Sequence, residues 1–188
     1  IIWKRDFGTM ATKHGHGEGS SPALKGNALI INWDHEKQSA IYALNKLTGE
    51  NLWKVERKEV TSWSSPLIVE VDNTNQVIIS ATDRIRGYDL NDGRTIWECS
   101  GMSNNVVASP VSDNGKVYLG CSYDKRALIA INLNGAKGDI TDTNHVMWTT
   151  NKRTPYVPSP LLYKGTLYYL SHYQGILSVT HAESGKTK

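Results

Sequence analysis

Residues 14–18 read His-Gly-His-Gly-Glu, and a second polar cluster, Trp33-Asp34-His35-Glu36, follows in the same third of the chain. Imidazole and carboxylate are the side chains that zinc, iron and other divalent metals take as ligands. On that reading His14, His16, Glu18 and His35 are the metal candidates, and a metal-bound water would act as nucleophile in a hydrolysis. The intervening glycines let the backbone turn sharply, so the two histidines could point together. Their spacing matches no known ligand motif, however. The competing reading is a polar loop whose imidazoles are solvated or bonded to backbone. Which reading applies depends on the elements that carry these residues.

Other catalytic constellations are absent from the sequence. Ser64, Ser65 and Ser109 precede prolines that recur along the chain, and no GxSxG elbow surrounds any of them. No Walker loop occurs, and the glycine cluster GHGEG (15–19) has neither the lysine nor the strand-to-helix setting of a phosphate cradle. No catalytic residue is assigned on these grounds.

At 188 residues and 39 % hydrophobic content the chain fits one globular domain. No apolar run approaches the roughly 18 residues that cross a bilayer, so no membrane span is expected. The net charge of +3 comes from scattered Lys and Arg rather than a basic stripe, which argues against a nucleic-acid partner. Cys99 and Cys121 form no CxxC pair. Two small buried hydrophobes are the preferred reading, with a single disulfide in an oxidising compartment left open. The opening IIWKRDF looks like the middle of a strand, so the chain is expected to be a piece of a longer one.

Repetition decides the fold. Ser-Pro pairs place prolines at 22, 66, 110 and 160, in steps of 44, 44 and 50. Tryptophan follows a turn at Trp53, Trp97 and Trp148, with Trp3 in the same register. Alternating apolar runs precede each turn, and β-rich segments such as ALIINW and KVYLGCS lie between glycine, asparagine and aspartate turns. Four short antiparallel strands per repeat of this length define a blade, and the fold class is therefore all-β, a β-propeller of four-stranded blades. The expected limits are 1–10 for the outer strand of a preceding blade, then 11–55, 56–99, 100–150 and an incomplete 151–188. Each repeated tryptophan is assigned to the wedge between neighbouring sheets, where it can bury roughly 150–250 Å².

The segment IYALNKLTGENLW (41–53) resembles the repeat of the PQQ-like propellers, whose blades read aliphatic-Tyr-Ala-Leu-Asp, two variable residues, Thr-Gly, two variable residues, then Leu-Trp. The match runs over essentially the whole chain, loosens at an insertion, GAKGDITDTNHV, that delays Trp148, and stops at HAESGKTK before the next tryptophan. Within that superfamily the chain is most similar to BamB-like repeat proteins, with quinoprotein dehydrogenases as more distant relatives. The resemblance implies a seven- or eight-bladed wheel of which about four blades are present, and a periplasmic or extracellular location. A four-bladed ring closed by the IIW strand is the alternative.

In such a blade the loop leading into the inner strand and the loop between the second and third strands share one face. That face collects the residues outside the repeat. His14, His16 and Glu18 would meet Trp33, Asp34, His35 and Glu36, joined by Trp63, Asp83, Arg84, Tyr156, His172 and Tyr173. A rim with Trp33, Trp63, Tyr156 and Tyr173 as aromatic platforms suits a ligand. The preferred function is a non-catalytic scaffold that takes a protein, peptide or glycan partner there. The alternatives are a PQQ-dependent oxidoreductase, for which the resemblance implies adjacent cysteines absent here, and the metal-dependent hydrolase. No cofactor is assigned; PQQ and a divalent metal are the candidates.

Overall fold

The structure is a computed structural model that describes residues 1–172 and 175–188. Its strands fall into four antiparallel groups, each beginning just after a Ser-Pro pair. The first comprises β1 (Ala23–Lys25), β2 (Ala28–Trp33), β3 (Ser39–Asn45) and β4 (Asn51–Arg57); the second β5 (Leu67–Val71), β6 (Thr74–Ile79), β7 (Ile85–Asp89) and β8 (Thr95–Cys99). The third holds β9 (Val111–Asp113), β10 (Lys116–Ser122), β11 (Arg126–Asn132) and β13 (Val146–Thr150), and the fourth β14 (Leu161–Tyr163), β15 (Thr166–Leu170) and β16 (Leu177–His181). Neighbours in sequence are neighbours in each sheet, as a meander requires. Among the described residues the only helical element is a 3-10 turn at Lys13–Gly15, and no helix is long and apolar enough to cross a membrane. The chain folds as part of a β-propeller.

Strand alternation explains why the middle strands read as nearly continuous apolar runs. Successive side chains point to opposite faces, and here both faces of a sheet are covered by the next one. Val77 and Ile79 of β6 pack toward the first sheet, with Ile30, Ile41 and Tyr88, while Ile78 packs toward the third, with Leu119 and Ile129. Tyr118 of β10 turns the other way, onto Leu167 and Tyr169 of the fourth sheet. Each interface thus has its own core. Fully burying a side chain of this size contributes about 1.5–3 kcal/mol.

The repeated tryptophans lock these wedges by one device. Trp3, Trp53 and Trp148 each lie over a turn glycine of the next unit, Gly49, Gly93 and Gly185, which have φ of +75°, +76° and +68°. Each indole Nε1–H donates to the carbonyl three residues before that glycine, Lys46, Leu90 or Ala182, at 2.8 Å. Glycine is needed twice over, for the left-handed turn and because a Cβ would collide with the indole. Trp97 departs from this pattern. It lies over Gly87 of its own sheet and donates to Gln76 Oε1 at 2.8 Å. The insertion accounts for the change, since residues 134–145 fold back over the second sheet instead of forming the usual tight turn. Within it β12 (Gly138–Asp139) pairs in parallel with Trp97 and Glu98 of β8, and Ala136 and Ile140 enter the core.

Ser-Pro was expected to be scaffold alone, and the structure gives its serines a bonding role as well. The backbone N–H of Ser21 donates to Ser65 Oγ at 2.9 Å, that of Ser65 to Ser109 Oγ at 3.0 Å, and that of Ser109 to Ser159 Oγ at 2.9 Å. A ladder of hydroxyls therefore ties each sheet to the next near the start of the inner strands.

Candidate functional site

The loops that lead into the inner strands lie side by side and are stitched together. Trp63 donates from its backbone N–H to Val106 O at 2.8 Å and from Nε1 to Gly17 O at 2.8 Å; Ala108 N–H donates to Tyr156 O at 3.1 Å. Loops from all four units thus surround one cleft of about 280 Å³, walled by His16, Glu18, Trp63, Asn105 and Tyr156 among others. Gly19 makes room for Trp63, whose Cδ1 would sit 2.7 Å from a Cβ at that position. Val157 and Tyr156 also border an adjoining space of about 390 Å³ that reaches Leu170 and His172. Tyr156 stacks on His172 at 4.8 Å between ring centroids and on Tyr123 at 6.0 Å.

The expected meeting of the two histidine-bearing loops divides into separate arrangements. His14 and His16 are exposed and adjacent, with ring centroids 5.6 Å apart, and His16 lies 6.1 Å from Trp63. Glu18 shares their cleft. His35, the fourth metal candidate, is buried, and both ring nitrogens are engaged: Nδ1 accepts from Ala11 N–H at 3.2 Å and Nε2 pairs with Gln38 O at 3.1 Å. Among the described residues no three His, Cys, Asp or Glu side chains are grouped to hold a metal ion. Trp33 packs on Phe7 at 5.2 Å and on His35 at 6.1 Å, away from the cleft. Tyr173 lies outside the described residues.

The remaining expected residues belong to ion pairs and loop ties. Asp34 is completely buried, accepts from Ser62 Oγ at 2.7 Å and lies 3.4 Å from the Arg57 guanidinium. Burial outweighs the guanidinium and holds its pKa above the ordinary aspartate value. Glu36 accepts from Thr61 N–H at 3.1 Å and from Thr61 Oγ1 at 2.6 Å, tying the loop after β2 to the next lead-in loop. The Thr61 hydroxyl keeps that carboxyl below its usual range. Arg84 bonds Asp139 of the insertion at 2.8 Å, and Asp83 lies 3.8 Å from Arg86. The hydroxyl and backbone N–H of Thr141, with Arg84, hold Asp139 down to about 2.

Sequence reasoning missed two residues here. Glu59 is buried where β4 leaves the first sheet, and its carboxylate accepts from the backbone N–H groups of Asp83 and Arg84 at 2.9 and 3.2 Å and from Arg86 Nη1. It belongs to the set Asp34, Arg57, Glu59, Arg86 and Glu98 that joins two sheets at their loop ends. Asn105, 3 % exposed, borders the cleft with φ +54° and has a buried Oδ1 without a hydrogen bond among the described residues. Asparagine tolerates the left-handed region because its short amide can bond locally. The Asn-Asn pair in the third lead-in loop was the signal that could have singled it out.

Strands, recurring turns and the shared loop face define a propeller built from PQQ-like repeats. A family model described as outer membrane protein assembly factor BamB matches residues 1–188, and the chain belongs to that family. No match is found among curated protein sequences. The BamB structure from Moraxella catarrhalis is similar, with 24 % identity, a TM-score of 0.61, and 91 % of this chain covering 48 % of that one. The quinohemoprotein alcohol dehydrogenase from Comamonas testosteroni is similar at 13 % identity and a TM-score of 0.67, over 92 % of this chain and 34 % of that one. The computationally designed Ika4 protein is similar at 13 % identity and a TM-score of 0.58, over 93 % of this chain and 98 % of that one. At these identities the likeness is one of fold. The chain spans about half the length of the BamB structure and about a third of the dehydrogenase.

The residues present do not supply the adjacent cysteines that the dehydrogenase resemblance implies for a quinone. The two cysteines are free and buried in the core between the second and third sheets, not adjacent at the mouth. Of the carboxylates at the first two lead-in loops, Asp34 is committed to Ser62 and Arg57 and Glu36 to Thr61, while Glu18 is exposed in the cleft.

Proposed function

We propose that the chain is part of a non-catalytic propeller scaffold, and that its loop face anchors a protein partner at the cleft between Trp63 and Tyr156. The observation that carries this reading is the convergence of four stitched lead-in loops on one aromatic-walled recess. Preformed concave sites with aromatic walls and a few fixed polar groups are what binding requires. His16, Glu18 and Asn105 supply the polar groups of the recess wall. Membership of the BamB family, described by its role in outer membrane protein assembly, supports a protein partner over a glycan and a periplasmic location. A wheel of seven or eight blades agrees with a chain that spans about half of a BamB relative.

A photo-crosslinking residue placed at His16 in the full-length protein tests this in cells. Crosslinks to a protein of the outer-membrane assembly machinery are expected from His16 and not from Glu50, in the opposite hairpins. No crosslink from His16, or equal capture from Glu50, would overturn the reading. Titration with PQQ, followed by absorbance, and elemental analysis for metals provide the second arm. A stoichiometric quinone, or a metal lost on substitution of His14 and His16 by Ala, would replace the scaffold by an enzyme.

A further inference from the structure

A second cleft lies away from the mouth, at the loop end of the third sheet. Its volume is about 630 Å³, between the chain leaving β8 at Ser100–Gly101 and the ends of β11 and β13. The floor is apolar, from Ala127, Ile129 and Val146, and Thr141, Thr149 and Thr150 also line the space. Lys125 and Arg126 stand on the rim, and the chain leaving the cleft at Asn151 continues directly into Lys152 and Arg153. Leu128 pairs with Thr150, the last residue of β13, and Lys152 follows two residues beyond that strand end.

All four cations are exposed, and among the described residues none forms an ion pair. The neighbouring acids do not neutralise them. Asp124 is held by the Asn104 backbone and amide, and Asp139 by Thr141 and Arg84. Asp124 keeps its charge on the neutral Asn104, and Asp142 has no partner among the described residues, so two carboxylates stand against four cations. Elsewhere on this face the arginines are matched, Arg57 to Asp34 and Arg86 to Glu59 and Glu98.

We propose that this cleft binds a short acidic peptide segment of a protein partner, with carboxylates on the Lys125–Arg126 and Lys152–Arg153 rim and an apolar side chain against Ile129. Complementary charge at an interface guides encounter and fixes register, and an apolar floor adds area that a bare anion could not use. A single-stranded nucleic acid is the weaker fit, because among the described residues no aromatic ring lines the cleft for a base to stack on. This second contact goes beyond the mouth reading, since no cleft residue belongs to the mouth.

The test is fluorescence anisotropy of the whole chain with a fluorescein-labelled peptide rich in Glu and Leu, beside the same peptide with Gln for Glu. The Glu peptide is expected to bind and weaken as salt rises, and the Gln peptide to bind poorly. The Lys125→Ala/Arg126→Ala pair is expected to lose about tenfold in affinity and Lys152→Ala/Arg153→Ala several-fold. The Lys37→Ala/Lys58→Ala pair, which removes the same charge from the same face, should bind as wild type does. Trp63→Ala should also leave this binding intact, which separates its failure from failure at the mouth. Equal losses in the Lys37/Lys58 control, wild-type binding by both rim pairs, or full displacement by equimolar inorganic phosphate would overturn the proposal. Thermal melts confirm that each variant is folded before its affinity is read.

Discussion

The first and third sheets present charges at equivalent loop ends and use them differently. Between the first and second sheets, Asp34, Arg57, Glu59 and Arg86 are drawn inward, and Arg57, Asp34 and Glu59 have side chains at most 2 % exposed. At the end of the third sheet, Lys125, Arg126, Lys152 and Arg153 stay in water beside an open cleft. Position in the repeat does not set the role of a charge; its neighbours do. A cation opposite a carboxylate on the next sheet becomes part of the frame, and one without such a neighbour remains available to a ligand.

The sharpest way to break this contrast is to remove the centre of the buried set. Glu59→Ala leaves Arg57 and Arg86 short of a carboxylate and two backbone N–H groups without an acceptor, and should cost about 3–5 kcal/mol in urea unfolding. Lys125→Ala/Arg126→Ala, by contrast, should change stability by no more than about 0.5 kcal/mol. Similar costs for the two would show that the buried charges do no more for the frame than the exposed ones.

Serine variants test whether the backbone ties are equal at the two ends. Ser65→Ala and Ser159→Ala each remove one hydroxyl acceptor from the ladder, and each should cost about 1 kcal/mol by the same unfolding measurement. Equal costs would place the difference between the regions in their charges; a much larger cost at Ser65 would place part of it in the ladder.

The pH dependence sharpens the account of Asp34. Its folded pKa is raised by burial, so the folded state takes up a proton at higher pH than the unfolded chain does. The contribution is fully present below the unfolded pKa and is lost as pH rises through the folded value. Wild type should therefore gain stability relative to Asp34→Asn as pH falls from neutrality toward the ordinary aspartate range, read as the difference between two urea curves. A difference independent of pH would place Asp34 in a solvated setting.

The smallest effect concerns the thiols between the second and third sheets. Burial, with Asp139 nearby, pushes Cys99 up to about 11, and burial also raises Cys121. Neither should react with a disulfide reagent at pH 8 in the native protein, and both should react after unfolding. Rapid reaction in the native state would show that this interface opens more readily than its packing implies.

Legibility in the sequence followed periodicity. Proline and tryptophan spacing revealed strands, turns and the wedge role of Trp53 and Trp148, because every unit repeats the same local solution. Trp97 is the instructive exception, since the insertion that displaced Trp148 also removed the turn on which Trp97 would have docked. For the site, His16, Glu18, Trp63 and Tyr156 were legible as residues outside the repeat and do share a cleft. His35 and Asp34 looked the same in sequence yet face inward, because a loop's polar residues carry no mark of which way they turn.

The amino-acid sequence by itself determined the all-β class, the four-strand unit, the turn glycines, the recurring tryptophans and the family. These rest on short-range patterns, a period of two along each strand and fixed offsets around each turn, that any stretch of the chain displays locally. Only the tertiary structure decided which charges neutralise one another, which serines bridge sheets, that Asn105 faces a recess, and that four cations are left together at one edge. Those outcomes depend mostly on contacts between residues some 20 to 60 positions apart, and their energies arise from burial and partnership that no local stretch contains.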